Sequence, residues 1–161
     1  MKTIFLMRHG ETDEYDKGIT SGQRDPELNM KGIGHVKAAA ESLVLLRPNL
    51  IISSDLKRAL QTASIVSEHL GLPEPAVDCR LRERRWGHFE GKPWEERPLD
   101  PFECEKYNVE TEDLLTERIL SCYEGLAQGT LVVTHAGVIR CILKHLSIDE
   151  KAIPPCGVLS V

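Results

Sequence analysis

Several features that mark common protein classes are missing from this sequence. None of its five cysteines lies in a CxxC pair and their number is odd, so neither a disulfide framework nor a zinc ribbon is expected. No apolar segment approaches the ~20 residues of a membrane span, and the apolar run after Lys2 is much shorter than a secretory leader requires. We therefore expect reduced thiols, no membrane association and a cytoplasmic location.

The chain also lacks an excess of positive charge and the usual metal-binding motifs. Its formal net charge is −5, which argues against a nucleic-acid-binding surface. No HxH or HExxH spacing occurs, so a metallohydrolase with His9, His135 and Glu11 or Glu83 as ligands is only a minor alternative. A small anionic partner fits better, because a few arginines can set the local field of a cleft. We expect no metal and no other cofactor, and the sequence predicts no oligomeric state.

Apolar periodicity predicts alternating strands and helices in one domain that spans residues 1–161. Short apolar runs predict strands at residues 3–7, 50–53, 76–79, 131–134 and 158–161. Helical spacing and capping signals predict helices at residues 29–46, from a Ser54 or Asp55 cap to 70, 111–126 and 136–146. The composition of residues 13–27 predicts a loop, and that of residues 80–110 a surface excursion. The alternation predicts an α/β fold with a mainly parallel sheet.

Basic side chains follow three of the predicted strands at the points where they end. The first strand leads into Arg8 and His9, the second is followed by Arg58 in the next helix, and the strand at 131–134 leads into His135. The carboxyl ends of parallel strands share one edge of a sheet, so these four groups should meet beside helix N-termini. Each residue alone is more often structural, but together they predict a phosphate site.

His9 is the candidate nucleophile and Glu83 is the candidate proton donor. An imidazole can attack phosphorus if its nitrogen is unprotonated, and adjacent cations favour that state by lowering its pKa. Glu83 lies among arginines close to Trp86, and a bound phosphate would favour its protonated form. Glu11 is expected to orient His9 or to neutralise an arginine, because a bare anion there would repel phosphate. The remaining histidines are expected to be structural: His35, His69, His88 and His145.

The segment Arg8-His9-Gly10-Glu11-Thr12 resembles the signature of the histidine phosphatase superfamily, in its phosphoglycerate-mutase-like branch. The resemblance continues in the same order along nearly the whole chain. It covers residues 22–32 (with Gly22, Asp25, Pro26, Leu28 and Gly32), 53–63, 81–91, Glu110-Thr111 with Arg118, and 133–140. This resemblance implies a phosphoglycerate-mutase-like fold, which is a three-layer α/β/α sandwich.

The resemblance also implies a role for each candidate residue. His9 would become phosphohistidine, Arg8, Arg58 and His135 would hold the phosphoryl oxygens, and Glu83 would act first as general acid and then as the base for water. Further phosphate- or substrate-binding positions would be Thr12, Ser21, Gly22, Ala136 and Gly137. The implied activity is metal-independent hydrolysis of phosphomonoesters of a small metabolite, since fixed cations would neutralise the phosphate.

Three alternatives to a small-metabolite phosphatase are less well supported by the sequence. Cofactor-dependent phosphoglycerate mutases carry a long insertion after the acid, whereas this chain has a short acidic stretch at residues 92–108. Phosphohistidine-protein phosphatases lack the acid segment, because a phosphohistidine leaving group needs little proton help, so Glu83 favours an oxygen ester over a phosphohistidine. A non-catalytic phosphate-binding module is disfavoured because the nucleophile, the acid and the second histidine are all present. Glu14 and Tyr15 replace a Trp-Asn pair of the family, so a substrate contact is missing or is made by the Tyr15 hydroxyl.

Overall fold

A five-stranded sheet with the order β3-β2-β4-β1-β5 forms the centre of the molecule. The computed structural model describes residues 2–97, 105–149 and 152–161. The strands are β1 (Phe5–Arg8), β2 (Leu50–Ser53), β3 (Ala76–Val77), β4 (Thr130–Thr134) and β5 (Val158–Ser160). The first four pair in parallel, and β5 pairs with β1 in antiparallel orientation. The predicted α/β class with a mainly parallel sheet is therefore confirmed.

Helices cover both faces of the sheet. They are α1 (Asp13–Asp16), α2 (Met30–Leu43), α3 (Lys57–Leu70), α4 (Glu112–Tyr123) and α5 (Ala136–His145). Successive strand residues point to opposite faces, so Leu6 and Val132 pack with α4 and α5, whereas Met7 and Val133 pack with α2 and α3. This arrangement is the expected three-layer sandwich. No helix among the described residues is long and apolar enough to cross a membrane.

Several elements end earlier than their periodicity predicts. The helix α2 ends at Leu43, and the chain then turns through Arg47, whose φ of 49° is left-handed. The helices α4 and α5 end at Tyr123 and His145. The strand β3 ends at Val77, because a 3-10 turn begins directly after Asp78. Apolar periodicity continues past each of these points, so it does not mark where the backbone turns away.

The predicted capping of α3 by Ser54 or Asp55 is wrong. The Asp55 carboxylate accepts hydrogen bonds from Arg82 at 2.8 and 2.5 Å, so it is engaged elsewhere. The first helical residue, Lys57, instead donates its backbone N–H to Oδ1 of Asp25 at 2.6 Å. The cap therefore comes from a loop that is distant in sequence.

Residues 13–27 and 87–96 pack together and are more ordered than a loop and a surface excursion. The first segment begins with the helical turn α1, capped by the Thr12 hydroxyl, which accepts from the Tyr15 N–H at 3.1 Å. Thr20 exchanges backbone hydrogen bonds with the second segment, which contains two 3-10 turns. The two segments form one rim above the carboxyl ends of the strands. Residues 98–104 of the predicted excursion lie outside the described residues.

The cysteines within the described ranges are not joined by disulfides. Cys79, Cys122, Cys141 and Cys156 are free thiols, and Cys104 lies outside those ranges. Burial raises the pKa of the Cys156 thiol to about 12, which makes it a poor nucleophile at neutral pH. The cytoplasmic location expected from the cysteines stays a prediction.

Candidate active site

A cleft of about 640 Å³ opens at the carboxyl ends of the parallel strands. Nine residues singled out in the sequence line it: Arg8, His9, Thr12, Ser21, Gly22, Arg58, Glu83, Ala136 and Gly137. The tenth, His135, is fully buried behind the wall, and its ring centroid lies 5.1 Å from that of His9. The structure therefore brings the predicted residues of separate strand ends into one site.

The His9 ring is held in one tautomer by two neighbours. Its Nδ1 lies 2.7 Å from the carbonyl oxygen of Gly10, and because a carbonyl only accepts, Nδ1 must carry the hydrogen. Arg58 donates from Nε to Nε2 of His9 at 3.3 Å, which requires an acceptor at that position. The lone pair of the ring therefore resides on Nε2, and the hydrogen on Nδ1.

Both histidines of the site are held in the neutral form. Burial lowers the pKa of His9 well below its ordinary value of 6.5, and the charges of Arg58 and Arg8 lower it further. Burial and the Arg58 charge likewise keep the pKa of His135 well below 6.5. Nε2 of His135 lies 2.9 Å from the Ser54 hydroxyl, and its buried Nδ1 has no partner among the described residues.

Arg58 is positioned by the backbone of the 13–27 loop. Its side chain is only 2% exposed, although it lines the cleft. One terminal nitrogen donates to the carbonyl of Arg24 at 2.8 Å, and the other donates to the carbonyl of Gly22 at 2.7 Å. Burial lowers the pKa of Arg58 below its ordinary value, while the Glu83 charge raises it in part. The result is a fixed cation whose third nitrogen, Nε, points to His9.

Arg8 is a second cation that lines the cleft and acts on His9. Its Nη1 donates to the carbonyl of Ile153 at 2.8 Å, and its guanidinium lies 5.0 Å from the Tyr15 ring centroid. Its Nε is buried without a partner in the described part of the chain. Tyr15 therefore lines the cleft as a platform for this arginine. Whether its hydroxyl also contacts the substrate stays a prediction.

Glu83 lies at the N-terminus of α5, where the resemblance had assigned amides to phosphate. Its carboxylate accepts from the backbone N–H of Gly137 at 3.2 Å and from that of Arg84 at 2.8 Å. A Cβ on Gly137 would clash with Oε1 of Glu83, so glycine is what allows this approach. The acid therefore lies within the cleft, and it occupies the Gly137 amide that was expected to bind phosphate.

A partly buried ion pair holds the chain segment that carries Glu83. Arg118 donates to both carboxylate oxygens of Glu110, at 2.6 and 2.8 Å. The same guanidinium donates to the carbonyls of Arg80, Arg82 and Glu83, at 2.6, 2.8 and 3.2 Å. Burial raises the pKa of Glu110, but its bonds to Arg118 outweigh this effect and lower it below the ordinary value. The sequence matched both residues to the family but assigned them no role.

The expected role of Glu11 is wrong. Its Oε1 accepts from Nδ1 of His35 at 2.7 Å and lies 3.9 Å from the Lys31 ammonium, so its contacts within the described residues are with α2 and not with His9 or an arginine. A Cβ on Gly32 would clash with the carbonyl oxygen of Glu11. Glu11 and its backbone therefore anchor α2 beneath the His9 segment.

Sequence reasoning missed the outer half of the cleft. This half is lined by Arg84, Trp86, Trp94, Arg97 and Arg140. Thr20, also on the wall, has a buried hydroxyl without a partner in the described ranges. The signal available was the pair of tryptophans within a charged segment, since aromatic rings at such positions commonly stack with arginine.

No donor set for a metal ion is evident in the site. Across residues 2–97, 105–149 and 152–161, no group of three or more His, Cys, Asp or Glu side chains is placed to hold one. The charged groups nearest His9 are guanidinium groups, which repel cations and bind oxyanions. Metal independence of the reaction itself stays a prediction.

Comparison with known proteins identifies the family. A model of the histidine phosphatase superfamily (branch 1) matches residues 4–156. The chain belongs to this superfamily. As a histidine phosphatase it is 33% identical over 152 residues to the uncharacterized phosphatase PhoE of Bacillus subtilis, covering 91% of this chain and 78% of PhoE. It is 34% identical over 169 residues to a metal-independent phosphoserine phosphatase of Arabidopsis thaliana, covering 92% of this chain and 70% of that protein.

A solved structure supports the same assignment. The crystal structure of phosphoglycerate mutase from Thermus thermophilus matches this histidine phosphatase with a TM-score of 0.81 and 30% identity, covering 99% of this chain and 92% of that one. The family resemblance and the phosphoglycerate-mutase-like fold are therefore confirmed. The relatives named as phosphatases also confirm the predicted enzyme class, a phosphoric monoester hydrolase.

Proposed function

We propose that this histidine phosphatase hydrolyses phosphomonoesters of a small metabolite without a metal ion, through a phosphohistidine formed on Nε2 of His9. The observation that carries the proposal is the state of the His9 ring. The Gly10 carbonyl fixes the hydrogen on Nδ1, and burial beside two arginines keeps the pKa of the ring well below 6.5. A neutral imidazole with its lone pair at a cationic cleft is suited to attack phosphorus.

In the first step, Nε2 of His9 attacks phosphorus and a P–N bond forms. The P–O bond to the leaving group breaks, and its electron pair leaves with the oxygen, which takes a proton from Glu83. The arriving phosphoryl group takes over the Nε donor of Arg58 as this attack begins, which frees the lone pair of Nε2. Nε of Arg8 and Nδ1 of His135, both buried without partners among the described residues, supply further donors. Buried donors of this kind normally have an acceptor, and three phosphoryl oxygens would provide them.

In the second step, water attacks the phosphorus of phospho-His9. Glu83, now a carboxylate, takes a proton from the water as the new P–O bond forms. The P–N bond breaks and its electron pair returns to Nε2, so the neutral imidazole is restored and inorganic phosphate leaves. The amides of Arg84 and Gly137, which bond to the Glu83 carboxylate, support its anionic form at this stage.

Phosphoglycerate mutase activity is a second candidate, favoured by the similarity to the Thermus thermophilus enzyme. A mutase has to keep water away from phospho-His9 until the isomer forms. The relatives named as phosphatases favour hydrolysis. Incubation with phosphoglycerate and a trace of bisphosphoglycerate separates the two, since a mutase yields the isomer and a phosphatase yields free phosphate.

Hydrolysis of p-nitrophenyl phosphate in the presence of EDTA tests the proposed function. We expect the wild-type protein to retain its activity in EDTA and His9→Ala to lose it, with the exposed His69→Ala as the matched control. Full activity of His9→Ala would contradict the nucleophile assignment, and loss of wild-type activity in EDTA would contradict metal independence. Phosphoserine is a suitable first natural substrate, because the Arabidopsis relative is named for it.

A further inference from the structure

Ser54 packs directly against the ring of His135. It follows β2, and its backbone N–H donates to the carbonyl of Val133 at 3.1 Å, because β2 and β4 lie side by side in parallel with Ser53 opposite Val133. The residues that follow the two strands are therefore neighbours, and Oγ of Ser54 lies 2.9 Å from Nε2 of His135. Both side chains are fully buried, so solvent does not compete for this contact.

The Ser54 hydroxyl can give its hydrogen to only one acceptor within the described ranges. A serine hydroxyl carries one hydrogen and two lone pairs. One lone pair accepts from the backbone N–H of Leu56 at 3.3 Å, and the remaining contact of Oγ is with Nε2 of His135. Because buried polar groups are normally satisfied, the hydroxyl donates to Nε2, which must therefore carry the lone pair of the ring.

The opposite tautomer of His135 would leave two buried groups unsatisfied. If Nε2 carried the hydrogen, Ser54 would accept from it, and the hydroxyl hydrogen would have no acceptor among residues 2–97, 105–149 and 152–161. Nδ1 would then be a buried lone pair without a donor, since it has no partner in those ranges. A doubly protonated ring is also unfavourable, because burial and the charge of Arg58 keep the pKa of His135 well below 6.5. The structure therefore favours a neutral ring with its hydrogen on Nδ1.

The two histidines of the site thus share a tautomer but offer opposite atoms to the phosphoryl group. In His9, the Gly10 carbonyl holds the Nδ1 hydrogen, and the lone pair of Nε2 is left for the attack. In His135, the Ser54 hydroxyl engages the lone pair, and the Nδ1 hydrogen is left without an acceptor in the described part of the chain. The ring centroids lie 5.1 Å apart, so one phosphoryl group can contact both rings.

We propose that Ser54 is a positioning residue, which holds His135 in the Nδ1–H tautomer so that the ring donates to a phosphoryl oxygen while it stays neutral. The inference rests on the proposed function, in which His135 bonds to the phosphoryl group of phospho-His9. After the attack, the His9 ring carries phosphorus on Nε2 and hydrogen on Nδ1, and it therefore has a positive charge. A second imidazolium beside it would repel that charge, whereas a neutral donor does not.

Two-bond ¹H–¹⁵N correlation spectra of the ¹⁵N-labelled wild-type protein test this tautomer directly. Protonated and unprotonated ring nitrogens give separate signals, and the signals of His135 are those that are lost in His135→Gln. At neutral pH and without substrate, we expect His135 to be protonated on Nδ1 and unprotonated on Nε2. A hydrogen on Nε2, in a neutral or in a doubly protonated ring, would overturn the inference.

Ser54→Ala removes the hydroxyl and should release this constraint. The His135 signals should shift toward a mixture of the two tautomers. The dissociation constant of orthovanadate, an oxyanion that takes the place of the phosphoryl group, should rise about tenfold. Ser53→Ala is the matched control, because its equally buried hydroxyl donates to the Ser54 carbonyl and not to a histidine. It should leave the His135 tautomer unchanged.

A Ser54→Ala protein with the wild-type tautomer and the wild-type affinity for orthovanadate would overturn the inference. An equal loss of affinity when Ser54→Ala is placed in a His135→Gln background would also overturn it, since residues that act through one another are not additive. If Ser54→Ala does not fold, the wild-type spectrum still decides the tautomer. Failure of the proposed function would be seen separately, as an absence of p-nitrophenyl phosphate hydrolysis, because the spectra are recorded on the resting enzyme.

Discussion

Nε of Arg58 donates to Nε2 of His9 across 3.3 Å, so the cation that lowers the pKa of the imidazole also marks the position of its lone pair. Arg58 is itself held by the carbonyls of Gly22 and Arg24. The 13–27 loop therefore orients the arginine, and the arginine orients the ring. An arriving phosphoryl group would take over the Arg58 donor just as Nε2 begins its attack.

The two buried histidines should make stability depend on pH near neutrality. His9 and His135 stay neutral in the folded protein, since their pKa values lie well below 6.5. In the unfolded chain they take up protons as the pH falls through about 6.5. The unfolded state then binds more protons, so the free energy of unfolding should fall below that pH, by at most ~1.4 kcal/mol per pH unit for each histidine. Urea titrations between about pH 7.5 and pH 5.5 measure this loss.

His135→Gln should reduce this loss of stability, whereas the exposed His69→Gln should retain it. Acidic side chains do not affect the stability over the pH range of this comparison. Carboxylates with lowered pKa values contribute stability that is lost only as the pH falls below their ordinary range, near 4. They are Asp55, Asp78, Glu110 and Glu112. A stability that is constant or rises as the pH falls below about 6.5 would contradict the burial of neutral histidines.

The loss of activity caused by Glu83→Gln should depend on the leaving group of the substrate. Glutamine keeps an acceptor for the amides of Arg84 and Gly137 but cannot supply a proton. The single-turnover rate of phosphoryl transfer should fall roughly 100- to 10,000-fold for an alkyl phosphate. It should fall much less for p-nitrophenyl phosphate, whose leaving group needs no proton. Rapid-quench measurements on both esters check this, and equal losses would count against Glu83 as the acid.

Arg118→Lys should lower kcat by displacing Glu83, although Arg118 itself does not take part in proton transfer. Lysine keeps the charge but cannot bond at once to Glu110 and to the three carbonyls that Arg118 now holds. We expect kcat for an alkyl phosphate to fall roughly 100-fold, as a misplaced catalytic group commonly causes, with KM little changed. Thermal unfolding measured in parallel reports any structural loss.

The same Arg118→Lys substitution placed in a Glu83→Gln background gives the control. Residues that act through one another are not additive, so the second substitution should add little once the acid is absent. An equal loss in both backgrounds would show that Arg118 acts on something other than Glu83.

Alanine substitutions at two glycines of α2 should change the free energy of unfolding in opposite directions. A Cβ on Gly32 would clash with the carbonyl oxygen of Glu11 and lie 2.8 Å from its nitrogen, whereas a Cβ on Gly34 meets nothing within 4 Å. Gly34→Ala should raise the free energy of unfolding by about 0.5–1 kcal/mol, through helix propensity. Gly32→Ala should lower it by about 1–3 kcal/mol, through overpacking. Stabilisation by Gly32→Ala in urea titrations would contradict the close contact of α2 with the His9 segment.

The strand ends made much of the site predictable. Arg8 ends a strand, His135 follows one and Arg58 lies in the first turn of the next helix, and a parallel sheet places such positions along one edge. Apolar runs identified β1 and β4 most clearly, because the side chains of these two strands are buried on both faces. Helix ends were less predictable, since α2, α4 and α5 stop where the chain turns and not where the apolar pattern ends.

Contacts between distant loops were not predictable in the same way. Asp25 caps α3 from another segment, and Glu11 pairs with His35 although it adjoins His9. Neither contact leaves a periodic or capping signal in its own segment. The position of Arg97 was not predictable for the same reason, because it depends on a contact with the ring of Trp86.

A covalent phosphate on His9 is the central claim of this account. Protein mixed with ³²P-labelled p-nitrophenyl phosphate and quenched within one turnover should carry label that is stable in alkali and labile in acid, as phosphohistidine is. Peptide mapping should locate the label on the segment containing His9, and His9→Ala should carry none. Turnover without protein-bound label, or label on another residue, would contradict the account.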